Sequence, residues 1–183
     1  MEGVVSILDQ ANLSRVLTLW QELQDQCLIP QIYPHFIPHI TWHVAESYND
    51  EKLPQALEEI GIQHQRFSFK AAGFGIFSGE KPVVYISLVK ERKLLEFHEQ
   101  LWDKLDPFAN QSNPYYSPGN WMPHITIFFD EIFEHLPDGW NSVRASTCVL
   151  SFLIPRKIEW VITIDNLAYG RMDEELRRFQ FSV

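Results

Sequence analysis

The chain has 183 residues, enough to bury a core as a single domain spanning 1–183, and its 45% hydrophobic and 21% charged content excludes a disordered or low-complexity protein. Acidic residues outnumber basic ones 24 to 15, for a net charge of −9. Long-range attraction to a large nucleic acid or a membrane surface is thereby disfavoured, and a small phosphorylated nucleotide or a short RNA end is the better-suited partner. No apolar run approaches a membrane span and the first residues lack a basic-then-apolar leader, so a cytoplasmic chain is expected. A monomer is expected as well.

Residues 4–8 read as a first strand, after which Asn12 caps a helix whose Leu13, Val16, Leu17, Trp20 and Leu23 recur at helical spacing. A Pro-rich connection over 29–38 leads to a strand at 39–45, followed by a helix over 50–60 that Gly61 stops. Residues 66–76 and 83–89 read as a hairpin joined at 78–81. A second long helix, 90–105, carries Leu94, Leu95, His98, Leu101, Trp102 and Leu105 on one side. The Pro- and Asn-rich stretch 106–121 is long enough to be a lid or substrate loop. A strand at 124–129 follows, then a short helical or irregular stretch within 131–146, and two more strands at 147–154 and 158–167. This order does not alternate regularly enough for a doubly wound parallel sheet and predicts an α+β fold.

The most informative feature is a repeat. Pro38-His39-Ile40-Thr41 recurs as Pro123-His124-Ile125-Thr126, each copy entering a run of β-formers. Side chains alternate along a strand, so His and Thr share one face while Ile40 and Ile125 turn to the other. A single His-x-Thr is weak evidence; two, both preceded by proline and 85 positions apart, are not. If the copies meet, the site holds two imidazoles able to exchange protons and two hydroxyls able to bind oxygens. In-line displacement at phosphorus puts entering and leaving oxygens on opposite sides, so one histidine on each side is the geometry required. The threonines would stabilise charge on the non-bridging oxygens, and the scheme requires no metal or cofactor.

With both motifs of the His-x-Thr-hydrophobic form, the chain resembles the two-histidine (2H) phosphoesterase superfamily, which includes RNA 2′,3′-cyclic phosphodiesterases and 2′-5′ RNA ligase-like proteins. The resemblance covers most of the chain. It implies two pseudo-symmetric lobes, each an antiparallel sheet with helices on the outer face, enclosing a central cleft across which the motifs face. It also implies hydrolysis of 2′,3′-cyclic phosphates to 2′-phosphates, with 2′-5′ ligation as the related reverse chemistry. Against both stands a reading of a different class, a non-catalytic binder of phosphorylated ligands that keeps the cleft without turnover. His39 and His124 would be the acid–base pair, in an order the sequence leaves open, and Thr41 and Thr126 the phosphate ligands.

Other candidates carry less. By simple alternation His43 shares the face of His39 and Thr41, which makes it a substrate contact or a packing residue. Tyr33, Tyr115, Tyr116 and Trp121 flank the motifs and are able to stack on a base, although packing is the commoner role. Trp42 points to the core, and His35, His64, His98 and His135 are read as structural or exposed. A metal site of His39, His43 and His124 lacks a carboxylate or cysteine at a familiar spacing. Cys27 and Cys148 are expected to be reduced, packed thiols. Arg156 and Lys157 are placed in a turn between strands, and 174–178 at an exposed helical end.

Overall fold

The computed structural model describes residues 1–28, 36–79, 82–128, 139, 142–171 and 177–182. Tyr33, His35 and His135 lie outside them. The elements run β1 (Glu2–Ile7), α1 (Gln10–Cys27), β2 (His39–Tyr48), α2 (Lys52–Gln63), β3 (Phe67–Phe77), β4 (Val83–Leu88), α3 (Arg92–Leu105), β5 (Ala109–Ser112), β6 (His124–Phe128), α4 (Ser142–Leu153), β7 (Val161–Ile164), β8 (Asn166–Arg171) and β9 (Arg177–Gln180). No helix among the described residues is long and apolar enough to cross a membrane.

The α+β class is as expected, and β3 and β4 form the predicted antiparallel hairpin. The strands make one sheet in the order β7-β3-β4-β6-β2-β1-β8-β9, with β5 added to β2. The two motif strands are neighbours at its centre, not members of separate sheets looking at each other. They pair where Ile40 meets Ile125, a narrow join with β7, β3, β4 and β6 on one side and β2, β1, β8, β9 and β5 on the other. Only Asp165 separates β7 from β8 in the chain, although the two lie near opposite ends of the pairing order. The sheet must curl for so short a link to span its ends.

One large core holds the sheet to its helices. Ile40, Trp42, Ile125 and Ile127 belong to it, with Val16, Leu23, Leu57, Leu94 and Leu101 from the helices. Burying side chains of this size contributes roughly 1.5–3 kcal/mol each, which fixes the face that the isoleucines of both motifs take. A separate small cluster of Val5, Ile7 and Ala168, with Ile37 packed against it, lies on the other face.

Several sequence expectations change. Helix α1 starts two residues before Asn12, because the Asp9 side chain accepts from the Asn12 amide (2.9 Å) and is itself the cap. Asn12 is instead buried and ties α1 to β7 through the Val161 carbonyl (2.9 Å). The expected strand 147–154 is helical as far as Leu153, as the second half of α4. Its run of Val, Leu, Phe and Thr suits either state, and the buried Ala145, Val149, Phe152 and Leu153 follow a helical period. The single strand expected at 158–167 divides at Asp165 into β7 and β8, which join different neighbours. Arg177 and Arg178 lie on β9, where Phe179 packs into the sheet, not on a helical end.

With 142–153 helical, Cys148 faces the end of α1, and Cys27 and Cys148 form a disulfide with Cα atoms 5.7 Å apart. The expected thiols are not free, since spacing in sequence says nothing of a contact across 121 positions. Arg156 follows α4, not a strand, and pairs with Glu22 (3.3 Å). The stretch expected as a long loop is partly built into the sheet: β5 pairs with β2 through Ala45–Ser112, Ser47–Asn110 and Tyr48–Ala109.

Candidate active site

Each motif histidine is held in the same way. Pro38 and Pro123 fix their own φ and push Ile37 and Met122 towards extended backbone, so the carbonyl two residues before each histidine has a set direction. His39 Nδ1 lies 2.7 Å from the Ile37 carbonyl oxygen, and His124 Nδ1 lies 2.7 Å from that of Met122. A carbonyl only accepts, so each Nδ1 carries the proton and donates. Each Nε2 is left with its lone pair when the ring is neutral and with a proton to give when it is charged. Neither Nε2, nor the hydroxyl of Thr41 or Thr126, has a protein hydrogen-bond partner among the described residues.

The register brings the four together. Ile40 opposite Ile125 is the pair that β2 and β6 share, and one residue to either side of it the antiparallel register implies Thr126 across from His39 and His124 across from Thr41. Each histidine therefore faces the threonine of the other motif, and the histidines are diagonal neighbours. Diagonal positions on such a pair lie roughly 7–8 Å apart, room for a phosphate between the rings. The same rows extend outward: Tyr85 is opposite Thr126 and Ser87 opposite His124, while Ile7 is opposite His39 and Val5 opposite Thr41.

Aromatic rings wall the site. Phe77 stacks on Tyr85 (centroids 4.2 Å), and both touch the His124 ring, at 5.0 and 5.2 Å. Phe36 lies 5.2 Å from the His39 ring. Tyr85 fits only because β3 carries glycine at 75, where an added Cβ would lie 2.5 Å from the tyrosine ring. Sequence reasoning missed Phe77, Tyr85 and Ser87. Period-two alternation in β4, with Val84, Ile86 and Leu88 buried in the core, was the available signal for Tyr85 and Ser87.

Burial pulls the His39 pKa below the usual imidazole range; hydrogen bonding to the Ile37 carbonyl opposes this, and the neighbouring charge of His124 adds to it. Burial also lowers His124, again against the pull of its Met122 carbonyl. In the ligand-free protein both rings thus favour the neutral form, and an anion between them would favour the charged one.

His43 is not on this face. Between Val4–His43 and Val5–Thr41 the pairing of β1 with β2 slips by one residue, a bulge at Trp42. His43 is consequently fully buried, its Nδ1 2.7 Å from the Tyr48 hydroxyl and its ring 4.4 Å from that of Trp102. Burial pushes its pKa down to about 4. Trp121 is also buried: its ring stacks on His98 (4.0 Å) and its indole N–H donates to the Thr41 carbonyl (2.9 Å). It braces the motif backbone and offers no open face to a base. Tyr116 packs against the core, while Tyr115 is 80% exposed. His98 is buried, with Nε2 3.2 Å from the Trp42 carbonyl oxygen and a pKa lowered by burial to about 4.

Among the described residues no group of three His, Cys, Asp or Glu side chains is placed to hold a metal ion. A surface recess of about 520 Å³, lined by His64, Phe67, Lys93, Phe97 and Gln100 among others, includes none of the four motif side chains.

A family model, the 2′-5′ RNA ligase superfamily, matches residues 12–145. No curated protein matches the chain. Among solved structures, Kluyveromyces marxianus Usb1 is similar with a TM-score of 0.58 at 8% identity, over 98% of this chain and 97% of that one. The TT0787 protein of Thermus thermophilus gives 0.57 at 11% identity, over 98% and 97%. Escherichia coli LigT, complexed with 3′-AMP, gives 0.53 at 15% identity, over 99% and 94%. At these identities the likeness establishes the fold.

Proposed function

The chain belongs to the 2′-5′ RNA ligase superfamily of two-histidine phosphoesterases, and from that premise we propose that it hydrolyses the 2′,3′-cyclic phosphate of a nucleotide or short RNA end to a 2′-phosphate without a metal. One observation carries the reading: the register about Ile40–Ile125 sets each motif histidine across from the other motif's threonine, with neither Nε2 hydrogen-bonded among the described residues. A nucleotide-sized ligand also agrees with the LigT complex with 3′-AMP and with a Usb1 structure that holds uridine monophosphate.

In this reading a neutral histidine takes a proton from water as its oxygen attacks phosphorus. The diagonal histidine, charged, gives its Nε2 proton to the departing 3′-oxygen. The P–O3′ bond breaks, leaving a 2′-phosphate and a 3′-hydroxyl, and the two histidines have exchanged protonation states. Thr41 and Thr126 donate to the non-bridging oxygens, where charge builds. Ligation uses the same groups, with a 5′-hydroxyl in place of water, and the family's name favours keeping it as the second reading.

Incubation with nucleoside 2′,3′-cyclic phosphates in EDTA tests the proposal. Release of 2′-phosphate that the His39→Ala/His124→Ala double variant loses supports it. Tight binding without release makes the protein a binder, and turnover abolished by EDTA makes it metal-dependent. Products with paired RNA ends separate hydrolysis from ligation.

A further inference from the structure

The row of residues that crosses the motif face does not stop at the motif. From Thr41 it passes to Val5 on β1, then to Ala168 on β8, then to Arg178 on β9. Residues directly opposite on paired strands project to the same face. Val5 and Ala168 belong to the small cluster on the face of the motif side chains, so Arg178 shares that face. Its neighbour Arg177 does not: Arg177 is opposite Tyr169, which packs with Phe179 against the main core.

Among the described residues Arg178, like Arg177, is not neutralised by a carboxylate, whereas four other cations of this acidic chain are. Arg92, Lys104, Arg156 and Lys157 pair with Glu96, Glu59, Glu22 and Glu159. Arg178 is exposed and has no hydrogen-bond or ion-pair partner among the described residues. Three strand spacings, about 14 Å, separate its Cα from that of Thr41. Val5 and Ala168 are buried, with Ile37 packed on their cluster, and an arginine side chain extended from β9 over that apolar ground would cover much of the span, its guanidinium towards the motifs. What remains is about the step from one phosphate to the next along a nucleic-acid strand.

We propose that Arg178 binds the phosphate adjoining the reacting one, so that the preferred substrate is an RNA end of two or more nucleotides and not a mononucleotide. The inference rests on the phosphoester reading of the motif site and names its substrate class. A guanidinium suits the task because it binds two phosphate oxygens at once and stays charged at any working pH. With a net charge of −9, the chain would otherwise repel the added phosphates of a longer strand.

Arg177 supplies the control, having the same charge one residue away on the opposite face. Binding is measured by titrating the protein with a labelled trinucleotide ending in a 2′-phosphate and with a labelled nucleoside 2′-phosphate, so the result does not depend on turnover. Wild type should bind the trinucleotide more tightly. Arg178→Ala should reduce the trinucleotide-to-mononucleotide affinity ratio about tenfold and Arg178→Glu further, whereas Arg177→Ala should keep the wild-type ratio. Equal losses in Arg177→Ala and Arg178→Ala would mean a bulk charge effect and overturn the proposal. So would a wild type that shows no preference for length or binds neither ligand. Retained length-dependent binding without hydrolysis would defeat the hydrolytic reading alone.

Discussion

Ile40 stands directly opposite Ile125, and that pairing sets the position of every group in the candidate site. Moving the register of β2 against β6 by one residue would turn one motif's His and Thr into the core and its isoleucine onto the open face. Both isoleucines are fully buried, so the core opposes such a slip. The site is thus aligned from behind.

In the proposed scheme His39 and His124 act in one proton exchange and should fail together. His39→Ala and His124→Ala are each expected to lower kcat by about 10²–10⁴, with the double variant little worse than the weaker single. Thr41→Ala and Thr126→Ala should cost roughly 10- to 100-fold, as lost donors to the developing charge. Additive losses on combining the histidine variants would show that the rings act independently.

The pH dependence follows from burial. Burial pulls both imidazoles below the ordinary value of 6.5, and the charge on His124 lowers His39 further. Lower pKa values move both limbs of the kcat/KM profile to lower pH, so the bell should be centred on the acid side of 6.5. Removing the neighbour relieves His39: in His124→Ala its imidazole should titrate at higher pH than in wild type, as read by NMR. A lower or unmoved value would mean that the rings do not share a site.

Gly75 is a position where a methyl group has nowhere to go. In Gly75→Ala the new carbon would sit 2.5 Å from the Tyr85 ring, which is stacked on Phe77 and touches His124. The ring must move, at a cost of roughly 1–3 kcal/mol in stability, and take the wall of His124 with it. Turnover should fall about tenfold. The stability cost should largely vanish in a Tyr85→Ala background, because the clash is with that ring. A full cost in the double variant would put the strain elsewhere.

Much of this site could be read before the fold was known. Period-two alternation gives the shared face of His and Thr, and the repeated proline hints at the carbonyl that orients each ring. What escaped was whatever depends on register. His43 looked like a site residue because alternation was carried through Trp42, where the bulge resets it. Tyr85 and Arg178 join the face only through cross-strand neighbours. Cys148 was misread for a related reason: residues 147–154 have the composition of a strand, and the thiol meets Cys27 only once they coil into α4.

The Cys27–Cys148 bond closes a covalent loop of 121 positions that contains both motif strands. Cross-linking so long a loop restricts the unfolded chain, and removing the bond is expected to cost about 2–5 kcal/mol. Reduction, or Cys148→Ser, should lower the urea midpoint and steepen the transition, because the freed unfolded chain expands and exposes more surface. Cys27→Ser/Cys148→Ser should match the reduced wild type. An unmoved midpoint would show that the packing of α1 on α4 holds without the bond.

Acid should weaken the fold through His43 and His98, independently of catalysis. Burial holds both at about 4, against 6.5 for an ordinary imidazole. Below pH 6.5 the unfolded chain takes up protons that these folded rings refuse, so stability falls as pH drops and levels off once it passes about 4. Each pKa unit corresponds to about 1.4 kcal/mol, and the two sites together amount to a few kcal/mol across that window. His43→Phe keeps a ring against Trp102 but cannot take up a proton, so its unfolding free energy should decline less between pH 7 and 5 than that of wild type. It should also start lower at pH 7, because the Tyr48 hydroxyl loses its partner. Parallel declines for wild type and variant would show that His43 takes up its proton equally readily in the folded and unfolded states.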